Sequence, residues 1–253
     1  MDLVALSDAD FDEVEVRFTQ FHYHYTPFFQ NRTKSVAKPA KDYLHGQLFL
    51  KQQMNMVQYC REVPLSEYEA MQHFISSSPW EDRELLKQLQ HDVYHLLVEE
   101  PSDGALILDE SGIEKQGKMS VGVERQYCGR LGKVENCQVG VYLGYSNPNH
   151  ASLVDYRLYL PESWLLDSDR RLKCGVPINA VVQPLSPQEI EFQTKAQLGL
   201  EMIRTFKASG LEFGFVCMDC HYGEQPWLLK TPTEEDICYM ADIPYLFALA
   251  SSR

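Results

Sequence analysis

The spacing of apolar residues changes once along the chain. Before about residue 100 apolar residues recur at helical spacing, and after residue 104 they alternate with polar ones as in strands. The turn-rich segment Pro101–Gly104 separates the two patterns. The sequence therefore predicts an α/β protein with a helical domain over 1–100, followed by a mixed-sheet domain over 104–253.

Helix starts are marked by capping boxes, in which a serine is followed three residues later by a glutamate. The boxes begin at Ser66, Ser78 and Ser186, and the last two have proline at the first helical position. Apolar residues at helical spacing also predict two helices, one from about 39 to 60 and one from about 187 to 209. The second is expected to end at a glycine. The helix after Ser78 has an apolar stripe formed by Leu85, Leu89, Val93 and Leu96.

Two apolar strands each end in an aspartate. Ala105–Leu108 is followed by Asp109, and Phe213–Met218 is followed by Asp219. Between them, alternating residues on both sides of Gly129–Gly132 predict an antiparallel hairpin, and a further alternating strand is closed by a proline. Aspartates that end strands are also common turn and cap residues, which is the alternative interpretation.

The order of these elements is typical of a ribonuclease H-like core. It runs from the Asp109 strand through the hairpin, a third strand and a helix to the Asp219 strand, then through a short helix to a last strand over Ile243–Ala250. In such a core the two acid-bearing strands lie side by side and parallel. Asp109 and Asp219 would then meet at one sheet edge, where carboxylates can hold divalent metal for phosphoryl transfer. Glu110 is expected on the opposite strand face.

Composition indicates a soluble globular protein large enough for one large or two modest domains. The chain has 253 residues, of which 44% are hydrophobic. It lacks an apolar run long enough to span a membrane, and its acidic beginning is unlike a signal peptide. We therefore expect a cytoplasmic protein without a membrane partner. The seven cysteines are expected to be reduced.

Charge is unevenly distributed, although the net charge is -13. Residues 31–61 carry six lysines and arginines and one acid, and more bases surround the hairpin. These bases could contact DNA phosphates, or they could be ordinary solvated surface charges. The candidate DNA-binding residues are Arg32, Lys34, Lys38, Lys118, Arg125, Arg130 and Lys133.

Two other motifs could bind metal or haem. Cys217, Cys220 and His221 match a haem-attachment or zinc pattern, but a second cysteine pair at usable spacing is lacking, so packing around Asp219 is favoured. For His22 and His24, in an aromatic stretch, packing is also favoured over metal binding.

Further residues are assigned structural roles. Cys128 and Cys137 bracket the hairpin turn and are expected to be reduced neighbours. Asp155 and Arg157 are expected to form an ion pair. Trp80 and Trp164 are expected to anchor packing.

Longer strings of residues carry a family resemblance. They are Ser120–Val141, Arg157–Trp164 and Asp219–Gly223, with Ser35–Ala40, Asn55–Met56 and Phe74–Trp80 in the helical part. Over roughly residues 30 to 250 the chain resembles the DDE transposases of bacterial insertion sequences. The resemblance implies a DDE endonuclease that cleaves double-stranded DNA at the ends of a mobile element and transfers the strand to target DNA.

The resemblance also implies site residues and partners. Asp109 and Asp219 would be the first two catalytic acids and would share Mg²⁺ or Mn²⁺ ions in a two-metal site. A homodimer is left open. The third acid of the family, a glutamate on a late helix, is not found, and Glu224, Glu234 and Glu235 are not assigned to its role.

We therefore expect a C-terminally truncated transposase with an incomplete ribonuclease H-like domain and little or no cleavage by this chain alone. The alternative is a non-catalytic DNA-binding or regulatory remnant of a transposase. A third interpretation is that no function remains.

Overall fold

The structure, a computed structural model, describes residues 8–30, 34–49, 55–78, 80, 82–174 and 192–243. The chain divides into two compact units, Met1–Gln88 and Leu89–Arg253. The division falls within a helix, because Tyr94 and Leu97 in the second half of that helix pack into the core of the sheet unit. The domain limits 1–100 and 104–253 stay a prediction.

The first unit is helical and has an aromatic core. Phe29 and Phe74 meet edge to face with ring centroids 5.8 Å apart, and Trp80 stacks on Phe74 at 5.6 Å. His22 is buried, and its Nε2 lies 2.8 Å from the carbonyl oxygen of Ala37. The packing interpretation of His22 and Trp80 is therefore confirmed. The helices are α1 (Asp8–Tyr25), α2 (Ala37–Phe49), α3 (Met56–Glu62), α4 (Tyr68–Ser76) and α5 (Asp82–Leu97), which continues into the second unit.

Two predicted features of these helices are wrong. The single helix over 39–60 is two helices, because Asn55 caps α3 in a reciprocal capping box with Gln58. Ser66 does not cap α4, since its hydroxyl donates to the Cys60 carbonyl oxygen at 3.2 Å. Two residues of the box that begins at Ser78, positions 79 and 81, lie outside the described residues.

The second unit contains a six-stranded mixed sheet. The long strand β3 pairs antiparallel with β1 along one edge, and with β2 and β4 along the other. On the far side of β1, strands β5 and β6 follow in parallel. The strands are β1 (Ala105–Glu114), β2 (Glu124–Cys128), β3 (Lys133–Ser146), β4 (Ala151–Tyr159), β5 (Phe215–Met218) and β6 (Tyr239–Ala241).

The predicted strand order is found. A short 3₁₀ turn over Gly129–Leu131 joins β2 to β3, and Gly132 follows with φ +64°, a conformation that glycine adopts without strain. The last strand of the described part of the chain covers Tyr239–Ala241, and Ile243, where the predicted last strand begins, is not in a strand. Residues 244–250 of the predicted last strand lie outside the described residues.

Helix α8 packs against one face of the sheet and forms the core with it. Gly199 of α8 lies against Leu108 of β1, so close that an added Cβ would be 2.5 Å from a Leu108 methyl group. This helix begins at Lys195, because Thr194 caps it in a capping box with Gln197. The predicted start near residue 187 is wrong at least for 192–194, which are not helical, and the box at Ser186 lies outside the described residues.

The other helices of this unit are α6 (Glu162–Leu166), α7 (Ser168–Lys173), α9 (Cys220–Gly223) and α10 (Pro226–Glu234). Trp164 of α6 is fully buried, as predicted. The predicted ion pair on β4 is confirmed, since Nη1 of Arg157 lies 2.5 Å from Oδ1 of Asp155. None of the described helices has the length and apolar character needed to span a membrane.

Candidate active site

The two aspartates are placed side by side by the pairing of β1 with β5. The strands are parallel, with Leu108 opposite Met218, so Asp109 and Asp219 follow at the same level. Leu108 and Met218 are buried. Because side chains alternate along a strand, Asp109 lies on the other face together with Ile107, and both are exposed.

Each carboxylate is oriented by a backbone amide through one oxygen. Oδ1 of Asp109 accepts from the Glu110 amide at 2.7 Å, and Oδ1 of Asp219 accepts from the His221 amide at 3.0 Å as α9 begins. Within the described part of the chain, Oδ2 of each aspartate makes no hydrogen bond. Each aspartate can therefore offer one oxygen to a ligand.

The electrostatics of Asp109 favour a cation at this position. Burial raises the pKa of Asp109, the hydrogen bond from the Glu110 amide opposes this, and the charges of Asp219 and Glu110 raise it further. The ionised form of Asp109 is thus held at some electrostatic cost. A bound cation would relieve that cost.

An open groove of about 650 Å³ lies beside Asp109 on the exposed sheet face. Its walls are mostly apolar and come from strands β1, β3 and β4. The lining residues are Ile107, Asp109, Glu110, Ser111, Ile113, Tyr142, Gly144, Ala151, Ser152 and Leu153. Asp109 and Ser111 bring polar groups from the same face of β1. No local sequence pattern predicts this groove, because the groove depends on which strands become neighbours in the sheet.

The other side of β1 carries an ion pair that sequence reasoning also missed. Nζ of Lys195, the first residue of α8, lies 2.7 Å from Oε1 of Glu110. Both side chains are largely buried. Tyr222 of α9 is fully buried nearby, and burial together with the charges of Glu110 and the two aspartates raises the pKa of Tyr222. The capping box at Thr194 could have revealed the position of Lys195, but not its partner.

The bases predicted to bind DNA fall into two groups. Arg125, Arg130 and Lys133 lie exposed on the β2–β3 hairpin, and Lys133 pairs with Glu135 at 3.0 Å. Lys118 is exposed in the loop before β2. The structure brings these four bases to one hairpin and the loop that leads into it.

The second group lies in the helical unit. Lys34 is exposed, and Arg32 lies outside the described residues. Lys38 donates to Asp42 and to the Leu65 carbonyl oxygen, at 2.6 Å each. Part of the charge of Lys38 is therefore already neutralised within this unit.

The cysteine and histidine motif around Asp219 is split between two elements. Cys217 lies within β5, and burial raises the pKa of its thiol, whereas Cys220 and His221 are exposed on α9. Among the residues that the structure describes, no three His, Cys, Asp or Glu side chains are grouped to hold a metal ion. Glu234 and Glu235 pair with Lys230 and Arg204 respectively.

Comparison with known proteins agrees with this geometry. The family model described as DDE superfamily endonuclease matches residues 24–249. The chain belongs to this DDE superfamily. The resemblance inferred from the residue strings is therefore confirmed, as is the α/β class with a ribonuclease H-like order of strands.

One similar curated protein is a "Probable transposase for insertion sequence element IS701" from Microchaete diplosiphon. It is 28% identical to this chain over 191 residues, which is 73% of this chain and 43% of the relative. The matched region thus spans less than half of that relative.

Proposed function

We propose that the chain is a transposase of a bacterial insertion sequence, which cleaves DNA at the ends of the element and transfers the strand to target DNA. One observation carries the proposal: Asp109 and Asp219 directly follow Leu108 and Met218, which are paired across the parallel strands β1 and β5. Among the described residues, each aspartate has one oxygen without a hydrogen bond. Membership of the DDE superfamily and the name of the relative support the same reaction class.

The donor set fits Mg²⁺ or Mn²⁺. Mg²⁺ in phosphoryl-transfer sites is held by one or two carboxylates, with waters and substrate phosphate oxygens completing its coordination. Asp109 and Asp219 offer two such carboxylates. Burial raises the pKa of Asp109, the nearby charges of Asp219 and Glu110 raise it further, and a bound cation would favour the ionised form. When bound, the metal supplies acidity for the attacking water and charge neutralisation for the leaving oxygen.

The residues of the chain hold and orient the reacting groups. The amides of Glu110 and His221 orient the two carboxylates. Asp109 lies within β1, and Asp219 lies between β5 and α9, directly after the residue that pairs with Leu108, so the sheet limits their separation. Asp109 faces the open groove, through which a DNA backbone can approach. Arg125, Arg130 and Lys133 are proposed to bind phosphates of double-stranded DNA on the hairpin.

Because the described residues supply two carboxylates at this site, we expect little or no nicking by this chain alone. The test is Mn²⁺-dependent nicking of a supercoiled plasmid that carries the element's ends. It compares this chain with a version extended through the coding sequence downstream of Arg253. Asp109→Asn and Asp219→Asn are made in both proteins, and Asp103→Asn, an exposed aspartate just before β1, is the control.

Nicking that is stronger in the extended protein, and lost in both site variants but not in Asp103→Asn, supports the proposal. Nicking that survives Asp109→Asn contradicts it. DNA binding that persists in the site variants, with nicking absent from every protein, favours the non-catalytic DNA-binding alternative. We also propose that the protein binds DNA as a homodimer. Sedimentation of the protein–DNA complex measures its mass and so tests this.

A further inference from the structure

Three polar side chains meet on the α8 side of β1, behind the two aspartates. Glu110 directly follows Asp109, and its Oε1 accepts from Nζ of Lys195 at 2.7 Å. The two side chains are only 16% and 15% exposed. The charges are thus paired in a largely dry environment, where breaking the pair would leave a buried charge.

The position of Lys195 is itself unusual. It is the first residue of α8, and the helix dipole disfavours a cation at that end. The capping box of Thr194 and Gln197 fixes the first turn, so the ammonium group is held in place above the ring of Tyr159 and against Glu110. The ion pair with Glu110 offsets the unfavourable dipole and connects the middle of β1 to the start of α8.

Tyr222 brings the second aspartate into the same cluster. It lies three residues after Asp219, on α9, and its hydroxyl is buried beside Glu110. Among the described residues, neither this hydroxyl nor Oε2 of Glu110 has a hydrogen-bond partner. A hydroxyl donor and a carboxylate acceptor are complementary, and leaving both unsatisfied is costly.

We propose that Glu110, with Lys195 and Tyr222, is a positioning residue for the two-aspartate site; this inference rests on the proposed function. One carboxylate joins the middle of β1 to α8 through the ion pair with Lys195, and the same carboxylate lies beside the buried Tyr222 hydroxyl of α9. It thereby sets the separation of Asp109 and Asp219 without touching the metal. Residues that support metal ligands in this way commonly change metal affinity 10- to 100-fold when altered.

The test measures Mn²⁺ affinity of the purified chain by the electron paramagnetic resonance signal of free Mn²⁺. Glu110→Gln keeps the size of the side chain, and Tyr222→Phe removes one hydroxyl without changing any charge at neutral pH. Glu114→Gln is the matched control, because Glu114 is an exposed acid on the same strand, four residues further along. Asp109→Asn tests the site itself, and circular dichroism checks that each variant is folded.

We expect Glu110→Gln to weaken Mn²⁺ binding about tenfold. Tyr222→Phe should weaken it in the same direction, Glu114→Gln should leave it unchanged, and Asp109→Asn should abolish it. If Asp109→Asn abolishes binding while Glu110→Gln and Tyr222→Phe bind as tightly as the unaltered chain, the positioning role is overturned and the proposed function stands. If Glu114→Gln weakens Mn²⁺ binding as much as Glu110→Gln does, the positioning role is also overturned, because the loss of one negative charge then explains the lower affinity. Binding unaffected by Asp109→Asn overturns the proposed function as well.

Discussion

Leu108 and Met218 face each other across the parallel pair β1 and β5, and each is followed directly by an aspartate. The backbone hydrogen bonds of the sheet therefore determine how far apart Asp109 and Asp219 lie. Both leucine and methionine side chains are buried, so a register shift would expose them. The candidate active site thus has the rigidity of the sheet core.

The electrostatic cost of the site predicts that losing an acid stabilises the fold. Burial and nearby negative charges raise the pKa of Asp109, so the folded state binds this proton more tightly than the unfolded state does. Ionised Asp109 therefore destabilises the folded state when the pH is above its pKa in the folded protein. The destabilisation disappears as the pH falls below its pKa in the unfolded chain. Asp109→Asn should therefore raise the free energy of unfolding at pH 7, by no more than about 0.5 kcal/mol because the group is solvent-screened.

Urea unfolding at pH 7 and at pH 3, without divalent metal, measures this difference. The gain should be seen at pH 7 and should vanish at pH 3. Asp103→Asn, which replaces an exposed aspartate, controls for the general loss of one negative charge. An Asp109→Asn protein that is less stable than the unaltered chain at pH 7 would contradict the prediction.

The close approach of α8 to β1 predicts that Gly199 cannot be enlarged without cost. A methyl group at this position would lie 2.5 Å from a Leu108 methyl carbon. Overpacking of this kind costs about 1–3 kcal/mol, so Gly199→Ala should lower the stability of the sheet unit by that amount despite the better helix propensity of alanine. Thermal unfolding monitored by circular dichroism measures it. Gly129→Ala is the control, since nothing lies within 4 Å of its added methyl group, and an equal effect would refute the packing argument.

The ion pair on β4 predicts a large difference between two superficially similar substitutions. Asp155 is 4% exposed in its side chain and Arg157 17%, whereas Lys87 and Glu84 form an exposed pair on α5. Arg157→Met removes the cation that lies 2.5 Å from a buried carboxylate and should cost about 3 kcal/mol. Lys87→Met should change stability by less than about 0.5 kcal/mol. Chemical unfolding compares the two, and similar small effects would show that Asp155 is compensated elsewhere.

The exposed bases of the hairpin predict a salt-dependent contribution to DNA affinity. Replacing Arg125 and Arg130 with alanine should weaken binding at low salt, and should reduce the slope of log affinity against log salt by about one per lost phosphate contact. Fluorescence anisotropy with duplex DNA at several salt concentrations measures both quantities. Lys230→Ala, an exposed base on α10 paired with Glu234, is the control. An unchanged slope in the hairpin variant would exclude this surface from the DNA interface.

The strands could be predicted from the sequence because alternation and turn residues are local signals. Asp219 directly follows β5, as predicted. The predicted end of the first strand at Asp109 is wrong, because β1 continues to Glu114 through its pairing with β3. Helix limits were less accurate where two local signals competed. The capping box at Asn55 divides the predicted helix over 39–60, and Thr194, not Ser186, caps the described part of α8. In both observed capping boxes the residue three positions after the cap is glutamine, so the pattern of serine followed by glutamate does not detect them.

The surroundings of the site could not be predicted in the same way. Glu110 and Lys195 are 85 residues apart in sequence, and nothing local to either indicates the other. Their pairing depends on where α8 crosses the sheet, which depends in turn on the contact between Gly199 and Leu108. The expected orientation of Glu110, away from Asp109, follows from strand alternation and agrees with its ion pair to α8.

The parallel pairing of β1 with β5 also has a kinetic consequence. The two aspartates are about 110 residues apart, and pairing between such distant segments forms late in folding because loop closure must come first. A nascent or partly folded chain therefore contains Asp109 on an antiparallel hairpin sheet, without its companion. Asp109 and Asp219 should therefore bind metal together only after the slowest folding phase. A chain that is still being synthesised does not yet contain the assembled site.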